Sequence, residues 1–348
     1  MKIGFLIYGS LDILSGGYMY DRKLVEYLRA QGDTVEVISL PWRNYAAHLT
    51  DNLTFKLPKG LDVLIQDELN HPSLIAANSE KHPYPVISLV HHLRCSELRP
   101  QWQNAIYRAV EKKYLQTVDA FIFNSRTTKG VVNGVIGTGK PDLIAYPPTD
   151  RFGQALSEEH IKNRSRNEVF RILFLGNVIE RKGLHTLLAA VKNQNAKITV
   201  DVVGGLTAEP AYARQMQEFV ASNGLSSVVS FHSSLNNEPL VEKFKNAHTL
   251  IVPSSYEGFG IVYLEGMSFG LPAIGTTAGA ASELIEHGKT GYLIKPNDTA
   301  ALAQHIAMLA ADRDLLVELS LNARTRFTKQ PSWNETAGQV RNFLHNLI

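Results

Sequence analysis

Two glutamates eight residues apart, Glu257 and Glu265, lie in the stretch SYEGFGIVYLEGMSFGLPAIG. An apolar strand pattern, Thr249–Val252, precedes them, and a helix is expected to begin near Gly260. The first amides of a helix have no internal acceptor and carry partial positive charge, so they attract phosphate. Gly258 and Gly260 allow a ligand close to the backbone, and Phe259, Gly260 and Ile261 would offer the amides. A carboxylate beside a phosphate repels it, so each glutamate is better suited to accepting hydrogen bonds from hydroxyls. A ribose on one side of a diphosphate and a sugar on the other would satisfy both. Arg181 and Lys182 stand in a turn before a second helix start, at Gly183, and two cations suit a diphosphate. Gly16 and Gly17 would let the backbone approach a phosphate or a second substrate, though an ordinary tight turn uses the same residues. His91 ends an apolar strand pattern, with His92 beside it.

Elements that position these residues alternate along the whole chain. Strand patterns at Lys2–Tyr8, Thr34–Leu40, Leu61–Gln66, Val86–Val90, Ala120–Asn124 and Leu143–Tyr146 are separated by helical ones, including Gly16–Ala30 and Trp102–Thr117. The polar segment Pro147–Glu168 reads as an irregular linker, after which the alternation resumes from Arg171 and the last third is helical. Strands alternating with helices imply parallel α/β sheets. With 348 residues, two domains are expected: 1–165 and 169–330. The predicted fold is a pair of Rossmann-like doubly wound domains facing across a cleft, since such sheets bind ligands beyond the carboxyl ends of their strands.

Composition narrows the function classes. A net charge of +2 gives no general case for nucleic acid. Cys95 is the single cysteine, so no intrachain disulfide can form, and a reducing compartment fits. The start MKIGFLIYGS lacks the features of a signal peptide, and no run reaches membrane-spanning length, so a cytoplasmic location is expected. A dehydrogenase is disfavoured because GSLDILSGG after the first strand lacks G-x-G-x-x-G.

The block PSSYEGFGIVYLEGMSFGLPAIG resembles the signature of retaining glycosyltransferases of family 4, which have the GT-B fold. LFLGNVIERKGLHTLLAAV and ASELIEHGKTGYLIKPND resemble segments of the same family, SGGY its glycine-rich loop and SLVHHL its histidine-bearing loop. The resemblance implies that Arg181 and Lys182 bind the donor diphosphate, that Glu257 contacts the transferred sugar and that Glu265 holds the ribose. It also implies that His91 lies near that sugar, although the register allows His92, and that a final helix at about 331–348 crosses back to the first domain. Where the family usually has Arg, this chain has Asn177, which brings a hydrogen bond but no charge. Gly204 and Gly205 fall where the family's nucleobase sits, with His232 a weaker neighbour; for both a plain turn reads equally well. Asn124-Ser125 reads first as a helix N-cap, leaving Arg126 as an acceptor-side candidate.

The expected activity is hexose transfer from a nucleotide sugar, with UDP-glucose or a related UDP-hexose favoured, to a glycan or lipid-linked acceptor in polysaccharide synthesis. The alternatives are a noncatalytic nucleotide-sugar-binding protein or another GT-B enzyme, an epimerase or phosphorylase. No cofactor or metal is implied; Asp312-Arg313-Asp314 spells a metal motif of a different fold and reads as solvated charge at a helix boundary. Arg94, Arg99, Arg108, Lys112 and Lys113 surround the helix Trp102–Thr117, where Trp102, Ile106, Val110 and Tyr114 are expected to add apolar surface for an anionic membrane or a lipid-linked diphosphate.

Overall fold

A computed structural model describes all residues except 14, 149, 150, 154 and 155. The chain divides into two compact units, Met1–Pro148 with Pro331–Ile348, and Thr149–Gln330. Among the described residues the strands form two six-stranded sheets, every pair in them parallel.

In the first unit, β1 (Lys2–Tyr8), β2 (Thr34–Leu40), β3 (Val63–Asp67), β4 (Val86–Val90), β5 (Ala120–Phe123) and β6 (Asp142–Ile144) lie in the order β2-β1-β3-β4-β5-β6. Both faces are covered, as a parallel sheet requires. Ile3, Phe5 and Ile7 point into one core, and Leu6 and Tyr8 into the other, following the two-residue period of a strand. The first core takes the helix Gly16–Ala30 and the last helix, Trp333–His345, which buries Ala337, Val340 and Leu344 there. A capping box of Ser332 and Glu335 starts that last helix, and Arg341 pairs with the buried Asp33 at 2.6 Å.

In the second unit, β7 (Phe170–Leu175), β8 (Ile198–Val203), β9 (Val229–His232), β10 (Thr249–Ile251), β11 (Ala273–Thr276) and β12 (Gly291–Ile294) take the order β12-β11-β10-β7-β8-β9. Strand order reverses between β1 and β3 in one sheet and between β7 and β10 in the other. At such points neighbouring loops diverge and leave a crevice at the carboxyl ends of the strands.

The segment expected to be an irregular linker differs from that reading. It contains a helix, Glu158–Ser165, capped by Ser157, and it belongs to the second unit, so the boundary falls at Pro148 rather than near 165. Ile161 is buried, and a Cβ on Gly270 would lie 2.4 Å from its Cδ1. The Arg164 guanidinium is also buried and donates to the carbonyls of Phe269 and Gly270 at 3.0 and 2.9 Å. A helix that anchors itself through a buried arginine has little apolar periodicity to reveal it.

Candidate functional site

The loops after β7 and β10 meet at the switch point of the second sheet. Gly183, at φ +71°, begins the helix Leu184–Val191, and a Cβ there would lie 2.1 Å from the Pro253 carbonyl oxygen. Only glycine permits that approach. It places the Lys182 ammonium against the Glu257 carboxylate, with both side chains largely buried. Arg181 donates to the Tyr256 carbonyl at 2.8 Å, and its own carbonyl accepts from the Ser255 amide. Ser254 donates to the same Glu257 oxygen at 2.7 Å.

These contacts fix the charges. Burial alone would raise the Glu257 carboxyl, but Lys182, then Arg181 and Ser254, hold it at about 2. Burial pushes the Lys182 ammonium below its usual range, and Glu257 opposes that shift. The result is a buried carboxylate that stays ionised beside two cations. The helix Ile261–Ser268 starts directly after, behind Gly260 in the left-handed region. Its first-turn amides have no carbonyl one turn back within the helix. Arg181 and Lys182 therefore meet the loop 255–257, which leads into the helix start at Phe259, Gly260 and Ile261. Phe259 turns its ring into the core.

Glu265 lies in the second turn of that helix and is buried rather than solvated. Its carboxylate takes a contact from Arg151 at 3.2 Å, and Arg151 is itself held by the Asn237 side chain at 2.8 Å. Burial raises the Glu265 carboxyl and Arg151 opposes this. Sequence reasoning missed Arg151, which sits in the segment read as linker.

Asn177 ties two loops together: its side-chain oxygen accepts from the Gly205 amide at 3.3 Å. Gly204 approaches the neighbouring loop so closely that a Cβ would lie 2.0 Å from the Gly176 carbonyl oxygen. His232 is paired with Asp201 at 2.7 Å, an oxygen shared with Lys243. Asp312 caps the helix Arg313–Phe327 by accepting from the Leu315 amide, which accounts for the Asp-Arg-Asp sequence there.

In the first unit, Ser15 caps the helix that begins at Gly16, and Gly17 packs under His91: a Cβ at Gly17 would sit 3.2 Å from the imidazole. His91 Nε2 meets Asp21 at 2.9 Å, a fully buried carboxylate on that same helix. Tyr20 packs edge-on to the ring, and the His91 carbonyl accepts from Asn124 at 2.7 Å. Burial would lower the imidazole pKa, but Asp21, then Asp67 and Glu68, lift it to about 9. Asp21 is a second residue that sequence reading missed, because a lone acid on an amphipathic helix gives no local signal. His92 meets Glu97 at 3.0 Å, and Arg126 is exposed at the start of the helix Arg126–Ile136, which Ser125 caps. On the helix Gln101–Thr117, Trp102 and Ile106 are exposed, but Tyr114 is fully buried and adds no surface, because it faces the sheet.

Two parallel, doubly wound units, the second with Arg181, Lys182 and Glu257 gathered at its switch point, give the GT-B architecture. Residues 157–326, just under half of the chain, match the family model of glycosyl transferases group 1. The chain is 26% identical over 217 residues to the capsular polysaccharide biosynthesis glycosyltransferase CapM of Staphylococcus aureus, covering 60% of this chain and 55% of that one. It is 26% identical over 254 residues to a GDP-mannose-dependent alpha-(1-6)-phosphatidylinositol monomannoside mannosyltransferase of Mycobacterium tuberculosis, covering 69% of this chain and 65% of that one. The matches thus span a little over half to about two thirds of those relatives. Among solved structures, sucrose-phosphate synthase from Thermosynechococcus elongatus aligns with a TM-score of 0.83 at 20% identity, over 99% of this chain and 98% of that one. Anabaena HepE, solved with UDP and glucose, aligns at 0.76 and 19% over the full length of both. No described helix is long and apolar enough to cross a membrane.

Proposed function

We propose that the protein is a retaining glycosyltransferase of family 4 that moves a hexose from a nucleotide sugar to a glycan or lipid-linked acceptor. The observation that carries this reading is the loop cluster at the β7/β10 switch point: Lys182 and Arg181 against the loop that leads into the helix Ile261–Ser268, with Glu257 ionised among them. In the reaction the bond between the anomeric carbon and the diphosphate oxygen breaks, and negative charge develops on the leaving phosphate. Arg181, Lys182 and the helix-start amides stabilise that charge in place. The acceptor oxygen attacks from the leaving-group side and bonds to the anomeric carbon, while its proton passes to the departing phosphate oxygen. Glu257 is already engaged by Lys182 and Ser254, which suits an acceptor of sugar hydroxyl hydrogen bonds better than a nucleophile. Glu265 takes the ribose hydroxyls, with Arg151 holding its carboxylate.

HepE, solved with UDP, supports a UDP-hexose donor. The mannosyltransferase relative is named for GDP-mannose, so both nucleotides belong in the test. Thermal unfolding with UDP-glucose, UDP-galactose, UDP-N-acetylglucosamine and GDP-mannose should show saturable stabilisation by a UDP-hexose. The same donor should be slowly hydrolysed with its anomeric configuration retained. Stabilisation by none of the four would overturn the reading.

A further inference from the structure

Arg94 sits in the short helical turn Arg94–Ser96 that follows β4. Its guanidinium carbon lies 5.2 Å from the ring centre of Tyr45 and 4.8 Å from that of Tyr107, and the two rings meet edge to face at 4.9 Å. Among the described residues its side chain makes no hydrogen bond and no ion pair, and its Nε is buried without a partner. Arg99, 5.3 Å from the ring centre of Tyr107, pairs with Glu97 at 2.5 Å, and the same Glu97 holds His92.

The arginine is also held rigidly. Glu111 accepts from the Arg94 amide at 2.5 Å and the Cys95 amide at 3.2 Å, which pins the turn. Tyr45 is fixed by a 2.8 Å hydrogen bond to His71 Nε2. Behind the cation lie Glu68 and Glu111, and burial pushes their carboxyls up to about 8 and about 7. At neutral pH they offset the guanidinium only in part. A guanidinium set against two aromatic rings on a pinned turn, with its fork unused, is matched to two oxygens of a phosphate group. The same stretch exposes Leu98, Trp102 and Ile106, an apolar surface beside the cation.

We infer that Arg94, set against Tyr45 and Tyr107, is a receptor for the phosphate ester of the acceptor substrate. Naming that ligand the acceptor rests on the glycosyltransferase reading; the phosphate site itself does not. Two sources share this chemistry, a soluble phosphate ester and a lipid headgroup, and separate probes divide them.

Inorganic phosphate is titrated into the full chain while the side-chain Nε–H resonances of Arg94 and of the exposed Arg108 are followed, each assigned by its loss in R94Q or R108Q. The Arg94 signal should shift saturably and the Arg108 signal should not. Tyr107→Leu, which keeps the charge and removes one ring, should weaken the binding roughly tenfold. R94K serves where R94Q does not fold, and it should also bind poorly because an ammonium cannot use the fork. Flotation with phosphatidylcholine vesicles, with and without phosphatidic acid, gives the lipid arm: recovery that needs phosphatidic acid and Arg94 identifies a headgroup, and a soluble response alone identifies a free ester. Equal responses of Arg94 and Arg108 overturn the proposal. A phosphate shift in a chain that ignores every nucleotide sugar would remove the enzymatic reading and leave this site standing; donor turnover with an unresponsive Arg94 would do the reverse.

Discussion

Lys182 and Glu257 come from loops 75 residues apart, on opposite sides of the strand-order reversal between β7 and β10, and their side chains close into a buried ion pair. This contact joins the cation proposed for the leaving group to the carboxylate proposed for the sugar. Substituting Lys182→Ala removes the cation and leaves Glu257 buried without its main partner. Turnover should fall at least roughly a hundredfold, and stability by about 3 kcal/mol. The two losses are separable. Lys182→Met combined with Glu257→Gln should recover most of the stability and none of the activity, as read by steady-state kinetics beside thermal unfolding.

Gly183 is the backbone condition for that pair. At φ +71°, with the Pro253 carbonyl in the place a Cβ would take, Gly183→Ala must shift one loop against the other. The expected cost is about 1–3 kcal/mol of backbone strain, together with a weaker response to the donor nucleotide. Gly224 has a similar positive φ but open space around it, so Gly224→Ala should cost less and leave nucleotide binding unchanged. Equal effects at both glycines would mean that the loop contact is unimportant.

The legible parts of the molecule were those where a short local pattern and a long-range contact make the same demand. Strand–helix alternation gives both sheets, because buried parallel strands need continuous apolar runs. The cradle is readable because glycine is obligatory beside a close backbone and the cations must stand next to it in sequence. Arg151 and Asp21 were not readable: each acts on a residue more than 69 positions away, Glu265 and His91, and neither has a local sequence signature. The helix Glu158–Ser165 was hidden because Arg164 is buried where a periodic pattern would show a hydrophobe. Arg164→Leu tests that account. It removes the donors to the carbonyls of Phe269 and Gly270 and should destabilise the second unit by about 1.5–3 kcal/mol, despite adding apolar surface at a buried position.

His91 should titrate far from its ordinary range. Asp21 and Tyr20 face it from the helix Gly16–Ala30, Asp67 and Glu68 from the end of β3, and Asn124 from the end of β5. The folded pKa of about 9 lies above the unfolded value, so the stability this group contributes is complete below about 6.5 and is lost as pH rises through 9. The imidazole carbon resonances of His91 should show a midpoint near 9, and in D21N that midpoint should drop by roughly one unit or more. A midpoint unmoved by D21N would show that Asp21 does not set the charge.

Glu265 offers a test of donor recognition that stability cannot imitate. The carboxylate is buried, and Arg151 contacts its Oε1. With the ribose hydroxyls as its ligand, Glu265 should make the protein prefer a UDP-sugar to the 2′-deoxy-UDP analogue, since the analogue leaves a buried acceptor unpaired. A hydrogen bond to a charged group contributes about 1.5–3 kcal/mol, so the preference should be roughly tenfold or more. Glu265→Gln keeps the shape, and it should bind the natural donor more weakly while treating the two nucleotides nearly alike. Arg151→Ala should lower affinity for both by a similar factor, because it loosens the carboxylate without changing which hydroxyls the carboxylate can reach. If Glu265→Gln instead lowered binding of both donors equally and kept the preference, the ribose would have to be held by another residue.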